Sequence, residues 1–458
     1  MKDVTHYDFC IVGAGPSGLT LAYQLLRAGK RVLLLERDAR AGGLAKSYNY
    51  DGNIFDTGPK RFHTDDPLVQ SFIEHIGSVE QIGRSTKVHF AGKYFNWPLE
   101  VAEFFKMPLN VGFQSFIGML TRPNLVDKES FEQYIQNRYG YKLFDVFFKP
   151  YTEKFLQWDV TDIHADWATT GINRTVIDKR VKANTIVDLF SSLLLPSKVE
   201  TNFLYPTEGG FGFFFDKLFS LCVAETNFEC QFNTTITKLR SNPTGQISGF
   251  TANNSPFICD KLIWSGNLKD LNVLVNGETS SLNYLNTIFY NFVCKESAVN
   301  KKNRAQWIYV SDGNTLISRI TCMSEFNSNV FKDGYYNFIC EVTDSQAKPF
   351  YWQNPKAQED RIIKELLNMK FLLNREGIEA IISNSIKDTY PIYKKNYKSD
   401  FSKVVANVRA FSKNIHLLGR SGAFWYNNSD HSIKMSLDMA DKLLSKSDKT
   451  FDHRAYFG

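Results

Sequence analysis

Near its N-terminus the chain carries two short apolar runs, residues 9–12 and 31–35, separated by a segment whose apolar positions have helical spacing. Uninterrupted apolar runs of this length are typical of parallel strands that are buried on both faces. The helical segment, residues 19–28, ends at Gly29, a residue type that often follows the last helical turn. The pattern therefore predicts a strand–helix–strand unit with parallel strands.

A glycine-rich turn connects the first strand of this unit to the helix. It contains Gly13, Gly15 and Gly18, with Pro16 and Ser17 among them. In a dinucleotide-binding unit the first glycine permits the tight turn, the second lets a pyrophosphate approach the backbone, and the third lets helix and strand pack closely. The helix N-terminus then offers free N–H groups to the phosphates. The turn is thus a candidate phosphate site.

An acidic residue, Glu36, follows the second strand directly. At this position a carboxylate can accept hydrogen bonds from the hydroxyls of a nucleotide ribose, which disfavours a 2′-phosphate. A complete unit of strand, glycines, helix, strand and acid is far more specific than the glycine spacing alone. We therefore interpret residues 9–36 as a dinucleotide-binding unit.

The C-terminal part of the chain has a similar pattern. Residues 414–418 are typical of a strand, a Gly-Arg-Ser-Gly turn follows, and residues 432–444 form an amphipathic helical pattern. Ser432 or Asp430 is the candidate N-cap of this helix. The pattern predicts that the chain returns here to the sheet that it began.

The middle of the chain changes character twice. Residues 98–204 are rich in helical patterns, whereas residues 284–343 are rich in strand patterns. We therefore predict an α/β fold in which a discontinuous Rossmann-like domain carries a helical insertion and a β-sheet substrate domain. The predicted domains are residues 1–85, 205–270 and 386–458 for dinucleotide binding, 86–204 for the helical insertion, and 271–385 for the β-rich substrate domain.

The composition excludes several classes of function. The chain of 458 residues is 43% hydrophobic and 22% charged, and its net charge of +6 is spread without a basic stripe, so no nucleic-acid partner is expected. Its seven cysteines include no CxxC pair, which argues against a disulfide framework and against a metal site. Neither a signal peptide nor a run of about eighteen apolar residues is found, so we expect a cytoplasmic protein without a transmembrane segment.

The segment after Glu36 resembles the second signature of a large group of flavoproteins. Residues 37–47 contain the pair Gly42-Gly43, and Phe-Asp-Thr-Gly-Pro follows at 55–59. This pattern resembles amine oxidases, protoporphyrinogen oxidases, phytoene desaturases and UDP-galactopyranose mutases. The resemblance implies FAD as the cofactor, with the glycine pair along the phosphate and ribityl side of the flavin.

By the same resemblance, distant segments complete the FAD site. A glycine-rich stretch at 209–212 marks the middle piece of the domain, the backbone of Ile236 would contact the adenine, and the turn at Gly419 would bring N–H groups to the flavin pyrophosphate. The residues expected to bind the cofactor are Gly13, Gly15, Pro16, Ser17, Gly18, Glu36, Arg37, Gly42, Gly43, Leu44, Ile236, Gly419 and Arg420.

Within this group the resemblance narrows to UDP-galactopyranose mutases and to a related bacterial branch of oxidoreductases. It is carried, in collinear order, by residues 58–64, 93–98, 151–154 and 318–320, by Tyr390-Pro391, by Gly419-Arg420, and by the pattern Tyr-Asn-Asn-x-Asp-His-Ser at 426–432. In the mutases, N5 of the reduced flavin attacks the anomeric carbon of the sugar and displaces the nucleoside diphosphate, without net redox turnover.

The mutase resemblance implies roles for a catalytic set, Arg319, Tyr390, Arg420, Tyr426 and Lys60. Arg319 would bind the diphosphate with help from the two tyrosines, and Arg420 would lie nearer the flavin. Lys60 stands where the mutases carry a histidine near the flavin. An ammonium group there could stabilise anionic reduced flavin or hold a phosphate, but it would not copy the protonation behaviour of an imidazole.

Three hypotheses about function stay open at this point. The first is an FAD enzyme that acts on a nucleotide-linked or phosphorylated sugar, a small-molecule substrate whose pocket Trp158 would line. The second is an oxidoreductase of the amine-oxidase or protoporphyrinogen-oxidase type that takes hydride from an amine or apolar substrate, with an aromatic pocket from the Phe-rich segments 104–105 and 213–215. The third is a flavin-binding protein without activity. An oligomer is compatible with all three.

Overall fold

The computed structural model describes residues 5–97, 109–121, 123–169, 202–345 and 351–445. The strands are β1 (His6–Val12), β2 (Val32–Leu35), β3 (Ser47–Tyr50), β4 (Asn53–Asp56), β5 (Val79–Gly83), β6 (Thr86–Phe90), β7 (Lys93–Asn96), β8 (Asn202–Pro206), β9 (Phe228–Gln231), β10 (Ile236–Ser241), β11 (Ile247–Ala252), β12 (Ser255–Trp264), β13 (Asn283–Lys295), β14 (Trp307–Val310), β15 (Arg319–Cys322), β16 (Tyr335–Ser345), β17 (Ile378–Ile392) and β18 (Ile415–Leu417). The helices are α1 (Pro16–Arg27), α2 (Pro67–Ile76), α3 (Leu109–Leu120), α4 (Phe131–Leu143), α5 (Lys149–Leu156), α6 (Phe211–Val223), α7 (Leu268–Asn276), α8 (Glu359–Asn368), α9 (Tyr397–Phe411) and α10 (Ser429–Leu444).

The N-terminal strand β1 lies in the middle of the first sheet. It pairs in parallel with β2 on one side and with β12 on the other. The parallel set continues to β9 beyond β2 and to β18 beyond β12, while the first residues of β12 form an antiparallel ribbon with β11 and β10. Segments from both chain ends and from the middle thus share one sheet, which confirms the predicted Rossmann-like fold.

Helices cover both faces of this sheet. On β1, Cys10 joins a hydrophobic core that includes residues of α7 and α9, whereas Ile11 joins a core that includes α1, α6 and α10. Helix α1 packs against α10 and α6, and α7 packs against α9. Because both faces are buried there, residues 9–12 of β1 and all of β2 are apolar, which is the pattern that the sequence displays.

The second sheet has the strand order β17-β13-β16-β15-β14-β6-β7. Strands β13 and β16 pair antiparallel over eleven residue pairs without a register shift. This sheet confirms the predicted β-rich part of the fold. It also carries three site residues on neighbouring or nearby strands, namely Arg319 on β15, Glu341 on β16 and Tyr390 on β17.

Two predicted domain boundaries divide elements that belong together. Residues 86–97, predicted to lie in the helical insertion, form β6 and β7 of the second sheet, where β6 pairs in parallel with β14. Strand β17 likewise crosses the boundary predicted at residue 385. Such short strands are specified by pairing with partners far along the chain, and local periodicity does not reveal these partners. The division into domains otherwise remains a prediction.

The described part of the helical insertion contains α3, α4, a π-helical turn at Phe144–Phe148, and α5. The remaining residues of the predicted insertion, 98–108, 122 and 170–201, lie outside the described part of the chain, and so does the Phe-rich segment 104–105. Across the described ranges, no helix combines the length and apolarity that crossing a bilayer requires. The cellular location remains a prediction.

The last helix begins earlier than predicted. Its N-cap is Asn428, whose side chain makes no capping hydrogen bond, and Asp430 lies in the first turn, where the helix dipole favours a negative charge. Ser432, predicted as a possible cap, lies inside the helix, and its hydroxyl donates to Oδ1 of Asn427 at 3.3 Å. The prediction of Ser432 or Asp430 as the cap was therefore wrong, because the helical backbone extends to Ser429.

Candidate active site

The glycines after β1 allow separate backbone segments to approach closely. Gly13 has a φ of 102°, and a Cβ on Gly18 would lie 1.9 Å from the carbonyl oxygen of Gly13. A Cβ on Gly43 would lie 2.8 Å from the Cα of Gly15. Helix α1 starts at Pro16 without a side-chain cap, so the N–H groups of its first turn are not satisfied by the N-cap residue. The turn therefore fits a pyrophosphate held by backbone N–H groups.

The carboxylate of Glu36 is buried at the end of β2. Its Oε2 accepts a hydrogen bond from the N–H of Ala14 at 2.6 Å, and Oε1 accepts one from the N–H of Asp38 at 2.9 Å. The carboxylate thus fixes the glycine turn, and each oxygen keeps a second lone pair that a ribose hydroxyl can use. The N–H of Thr234 donates to the Glu36 carbonyl at 2.9 Å, which brings the start of β10, with Ile236, to the same edge.

The loop after β2 returns to the glycine turn. The N–H of Gly42 donates to the Ala14 carbonyl at 2.8 Å, and Gly42 and Gly43 have φ values of 110° and 53°. The carbonyl of Leu44 accepts a hydrogen bond from the Thr57 hydroxyl. The two glycine motifs therefore pack directly on each other and form one cleft.

Arg37 points from the first sheet to the second. Its Nη1 lies 3.2 Å from Oδ2 of Asp388, whose other carboxylate oxygen accepts a hydrogen bond from Nδ2 of Asn267 at 2.9 Å. In the structure Arg37 thus joins the end of β2 to β17. Its cofactor-binding role remains a prediction.

The C-terminal turn closes the cleft from the opposite chain end. A Cβ on Gly419 would lie 2.6 Å from Oγ of Ser17, and a Cβ on Gly422 would lie 2.2 Å from the carbonyl oxygen of Trp264. On α10, the hydroxyl of Ser436 donates to the Ser17 carbonyl at 2.9 Å. The first turn of α1 is therefore enclosed by residues from both ends of the chain.

A buried aspartate joins the loop after the second glycine pair to the glycine-rich segment before α6. Asp56 accepts hydrogen bonds from the Tyr205 hydroxyl at 2.8 Å, from the N–H of Phe211 at 2.9 Å, and from the Ser47 hydroxyl. A Cβ on Gly212 would lie 2.2 Å from the backbone nitrogen of Ser47. This close contact explains the glycines of the predicted middle piece, which docks against the cofactor cleft.

Burial raises the pKa of Asp56 to about 6, although its hydrogen bonds oppose the rise. An unfolded aspartate titrates near pH 4, so between about pH 4 and pH 6 the folded protein holds a proton that the unfolded chain has released. The unfolding free energy should therefore fall as the pH rises through this range. In denaturant titrations, Asp56→Asn should flatten this slope, whereas Asp333→Asn, at an exposed position, should not. An unchanged slope in Asp56→Asn would show that Asp56 is not the group whose raised pKa causes it.

Arg319, the first residue of β15, forms a bidentate ion pair. Its Nε and Nη2 donate to the two carboxylate oxygens of Glu341 at 2.7 and 2.6 Å, and Nη2 also lies 3.2 Å from the Tyr390 hydroxyl. The two charged side chains are 11% and 1% exposed. Burial opposes the positive charge, but Glu341 outweighs it and holds the pKa of Arg319 well above its ordinary value. Within the described residues Nη1 has no hydrogen-bond partner, so it is available to a ligand.

Backbone carbonyl groups hold Arg420 in place. Its Nη1 donates to Thr389 at 2.9 Å, and Nη2 donates to Asn427. The guanidinium carbon lies 5.2 Å from the ring centre of Tyr390 and 5.5 Å from that of Tyr426, and the two rings are 5.1 Å apart and nearly perpendicular. The structure therefore brings together the two arginines and two tyrosines of the predicted catalytic set.

Lys60 lies beside these residues, in the loop between β4 and α2. Burial lowers the pKa of Lys60 to about 7, and the positive charges of Arg420 and Arg319 act in the same direction. The carboxylates of Glu341 and Asp56 oppose this shift without cancelling it. The ammonium group is thus poised between its two protonation states near neutral pH.

Further arginines extend the positive region. The guanidinium of Arg61 stacks on the Trp307 ring at 4.3 Å, and that of Arg84 lies 5.5 Å from the same ring. Burial lowers the pKa of Arg61 to about 10, and Arg84 and Arg319 are close enough to contribute. The cations around the site are Lys60, Arg61, Arg84, Arg319 and Arg420. Such a concentration of positive charge favours an anionic ligand.

Aromatic side chains surround the two tyrosines. The ring of Trp167 stacks on Tyr426 with centres 5.0 Å apart, and Phe155 lies 5.3 Å from Tyr390 in an edge-on arrangement. Trp167 and Phe155 are also 5.9 Å apart. These rings form a largely apolar wall beside the cations, which excludes water and strengthens the electrostatic interactions of a bound ligand.

Some features of the site differ from the sequence prediction or were missed by it. Nζ of Lys394 lies 4.6 Å from the ring of Trp158, whose place in the substrate pocket remains a prediction. Glu341 and Trp167 were not identified as site residues. A single acidic residue inside the apolar run of β16 is the signal that could have indicated Glu341. For Trp167 the sequence carries no comparable signal, because its stacking partner lies on a distant segment.

A family model described as an NAD(P)-binding Rossmann-like domain matches residues 11–76. A protein named "Probable UDP-galactopyranose mutase" from Klebsiella pneumoniae is 29% identical over 160 residues, which are 33% of this chain and 41% of that protein. Protoporphyrinogen oxidase 2 of Arabidopsis thaliana is 38% identical over 71 residues, which are 16% of this chain and 14% of that protein. The matched regions thus span less than half the length of these relatives.

Similarity to solved structures extends over nearly the whole chain. The crystal structure of a reduced UDP-galactopyranose mutase matches with a TM-score of 0.82 and 18% identity, covering 97% of this chain and 96% of that chain. A putrescine oxidase bound to putrescine matches with a TM-score of 0.61 and 15% identity, covering 96% of this chain and 100% of that chain. At these identities the similarity establishes a shared fold.

The fold is shared with the structures of a UDP-galactopyranose mutase and a putrescine oxidase. The predicted resemblance to UDP-galactopyranose mutases and protoporphyrinogen oxidases is confirmed. The predictions of a flavoenzyme and of FAD as its cofactor agree with these relatives, which are FAD-dependent enzymes. In the described ranges, no group of three or more His, Cys, Asp and Glu residues could hold a metal ion.

Proposed function

We propose that this protein is an FAD-dependent enzyme that acts on a nucleotide-linked sugar of the UDP type, or on a phosphorylated sugar, by mutase-like chemistry at flavin N5 or by a related redox step. The observation that carries the proposal is the cluster of Arg319, Arg420 and Lys60 around Tyr390 and Tyr426. Cations and hydroxyl groups at such spacing suit a diphosphate, which accepts several charge-assisted hydrogen bonds.

Arg319 and Arg420 have different contacts, which support different roles in ligand binding. Arg319 is fixed at one end by Glu341 and presents Nη1 without a protein partner among the described residues, so it can donate to a phosphate oxygen. Arg420 uses both terminal nitrogens on backbone carbonyl groups, so it contributes charge and holds Tyr390 and Tyr426 in position. A preorganised donor and a fixed charge of this kind favour the departure of an anionic diphosphate.

When bound, FAD supplies the ring whose N5 acts as nucleophile or hydride acceptor. The chain's own residues supply binding, orientation and exclusion of water. The space beside Gly15 leaves room for the pyrophosphate along the backbone, whereas Gly13 and Gly43 let the neighbouring segments approach closely. The wall formed by Trp167 and Phe155 packs against Tyr390, which is buried, and against Tyr426, which is half-buried.

The proposal predicts a perturbed flavin spectrum on ligand binding. Purified protein, both oxidised and reduced with dithionite, would be titrated with uridine diphosphate and UDP-sugars while the flavin absorbance is recorded. We expect a saturable change that is stronger in the reduced state, because mutase-like chemistry requires reduced flavin. Absence of a response in both states would count against the proposal.

A second candidate is an oxidoreductase that takes hydride from an amine or apolar substrate. The aromatic wall favours it, and so do the matches to a protoporphyrinogen oxidase and to a putrescine oxidase. The Phe-rich segment 213–215 contributes little to it, because Phe214 and Phe215 belong to the buried core around Phe62. Bleaching of the flavin by amines or porphyrinogens, with no response to UDP-sugars, would favour this candidate.

A further inference from the structure

Lys60 differs from the arginines of the site because no described residue pairs with its charged end. Arg319 is paired with Glu341, Arg420 donates to two carbonyl groups, and Arg61 donates to the carbonyl of Pro59 at 3.0 Å. Among the described residues, Nζ of Lys60 has neither a hydrogen-bond partner nor an ion-pair partner. Taken as a whole residue, Lys60 is half-buried.

The charged groups around Lys60 come from four different elements. Arg319 on β15 and Arg420 in the C-terminal turn repel a positive charge on Lys60, whereas Glu341 on β16 and Asp56 on β4 attract it. Glu341 is already neutralised by its bidentate contact with Arg319. Without a ligand, burial therefore disfavours an ammonium group at this position, and the two arginines act in the same direction.

We propose that an anionic diphosphate ligand enters this site together with one proton, which Lys60 takes up from the solvent. This inference rests on the proposed function and adds a linked protonation step to it. The lone pair of the neutral Lys60 amine accepts the proton from buffer or water, and the resulting ammonium faces the negative charge of the diphosphate.

The coupling between ligand binding and protonation of Lys60 determines how the affinity changes with pH. The pKa of Lys60 is about 7 in the free protein, and a bound dianion raises it, because a nearby opposite charge favours the charged form. Above about pH 7 the affinity should therefore fall by up to roughly tenfold for each pH unit, until the pKa of the complex is reached. Asp56 titrates about one unit lower, near 6, so measurements at higher pH separate its contribution from that of Lys60.

Isothermal titration calorimetry tests the proton uptake directly. The flavin-containing protein would be titrated with UDP-glucose at about pH 8, where Lys60 is mostly neutral, in two buffers that differ in their enthalpy of protonation. Each phosphate of UDP-glucose carries one ester bond, the shared anhydride bond and a single strongly acidic oxygen, so the ligand itself does not titrate near neutral pH. We expect the buffer dependence of the heat to correspond to an uptake of roughly 0.5–1 proton per ligand bound.

Two variants of Lys60 serve as matched controls. Lys60→Arg carries a permanent charge, so it should bind UDP-glucose at least as tightly as the wild type at this pH, without proton uptake. Lys60→Met carries no charge, so it should bind about tenfold more weakly, with neither proton uptake nor pH dependence. Flavin content and thermal unfolding show whether each variant is folded, and Lys60→Met alone suffices if the arginine does not fit.

The possible failures are distinguishable. Saturable binding of UDP-glucose by the wild type without proton uptake would overturn this inference and leave the proposed function intact. Unchanged uptake in a folded Lys60 variant would also overturn it, because another group would then take the proton. No binding of UDP-glucose by the flavin-loaded wild type would overturn the proposed function and this inference together.

Discussion

Replacing Arg319 with alanine should destabilise the protein by about 3–5 kcal/mol and should weaken uridine diphosphate binding at least tenfold, or about 1.4 kcal/mol. The two losses have different causes. The stability loss arises because Glu341, only 1% exposed, would keep a buried charge without its two charge-assisted hydrogen bonds. The loss of affinity arises because Nη1 would no longer reach the phosphate. Denaturant unfolding measures the first effect, and the flavin titration measures the second.

A double variant separates stability from binding. Arg319→Ala combined with Glu341→Gln removes the orphaned carboxylate, so most of the unfolding free energy should return, since the two residues are in direct contact and their effects are not additive. The affinity for uridine diphosphate should stay low. A double variant that binds this ligand as tightly as the wild type would show that Arg319 is structural only.

Replacing Gly18 with alanine should abolish FAD retention and should lower the unfolding free energy by about 1–3 kcal/mol. The added Cβ would lie 1.9 Å from the carbonyl oxygen of Gly13 and 3.1 Å from its carbonyl carbon, so the turn or the helix must shift. Either shift displaces the N–H groups that would hold the pyrophosphate. The flavin-to-protein absorbance ratio after purification, together with denaturant unfolding of the apoprotein, provides the measurement.

Gly15→Ala is the matched control for this prediction. Its Cβ would meet only the Cα of Gly43, at 3.8 Å, an ordinary contact, so the stability of the apoprotein should be unchanged. FAD affinity should still fall at least tenfold, about 1.4 kcal/mol, because the methyl group occupies the space through which the pyrophosphate approaches the backbone. Normal FAD binding by Gly15→Ala would place the pyrophosphate elsewhere.

The sequence by itself determined the cofactor half of the protein. The unit from β1 to Glu36 was predictable because each of its parts obeys a local rule. Apolar runs mark buried parallel strands, glycines stand where a Cβ would collide or would block a pyrophosphate, and an acid follows the strand end. The position of the C-terminal turn also followed from its strand and helix patterns, although the start of α10 did not. Local rules of this kind act over a few residues, so they can be recognised in the sequence alone.

Only the tertiary structure decided how the substrate half is put together. β6 belongs to the second sheet because β14 pairs with it, and Trp167 faces the site because it stacks on Tyr426, far along the chain. Resemblance suggested Arg319, Tyr390, Arg420, Tyr426 and Lys60 as a set, but it did not indicate that Glu341 holds Arg319 or that Nζ of Lys60 lacks a partner among the described residues. Charge compensation and pKa shifts depend on which groups lie within a few ångströms of each other in a medium of low dielectric constant. These distances cannot be inferred from the separation of the residues along the sequence.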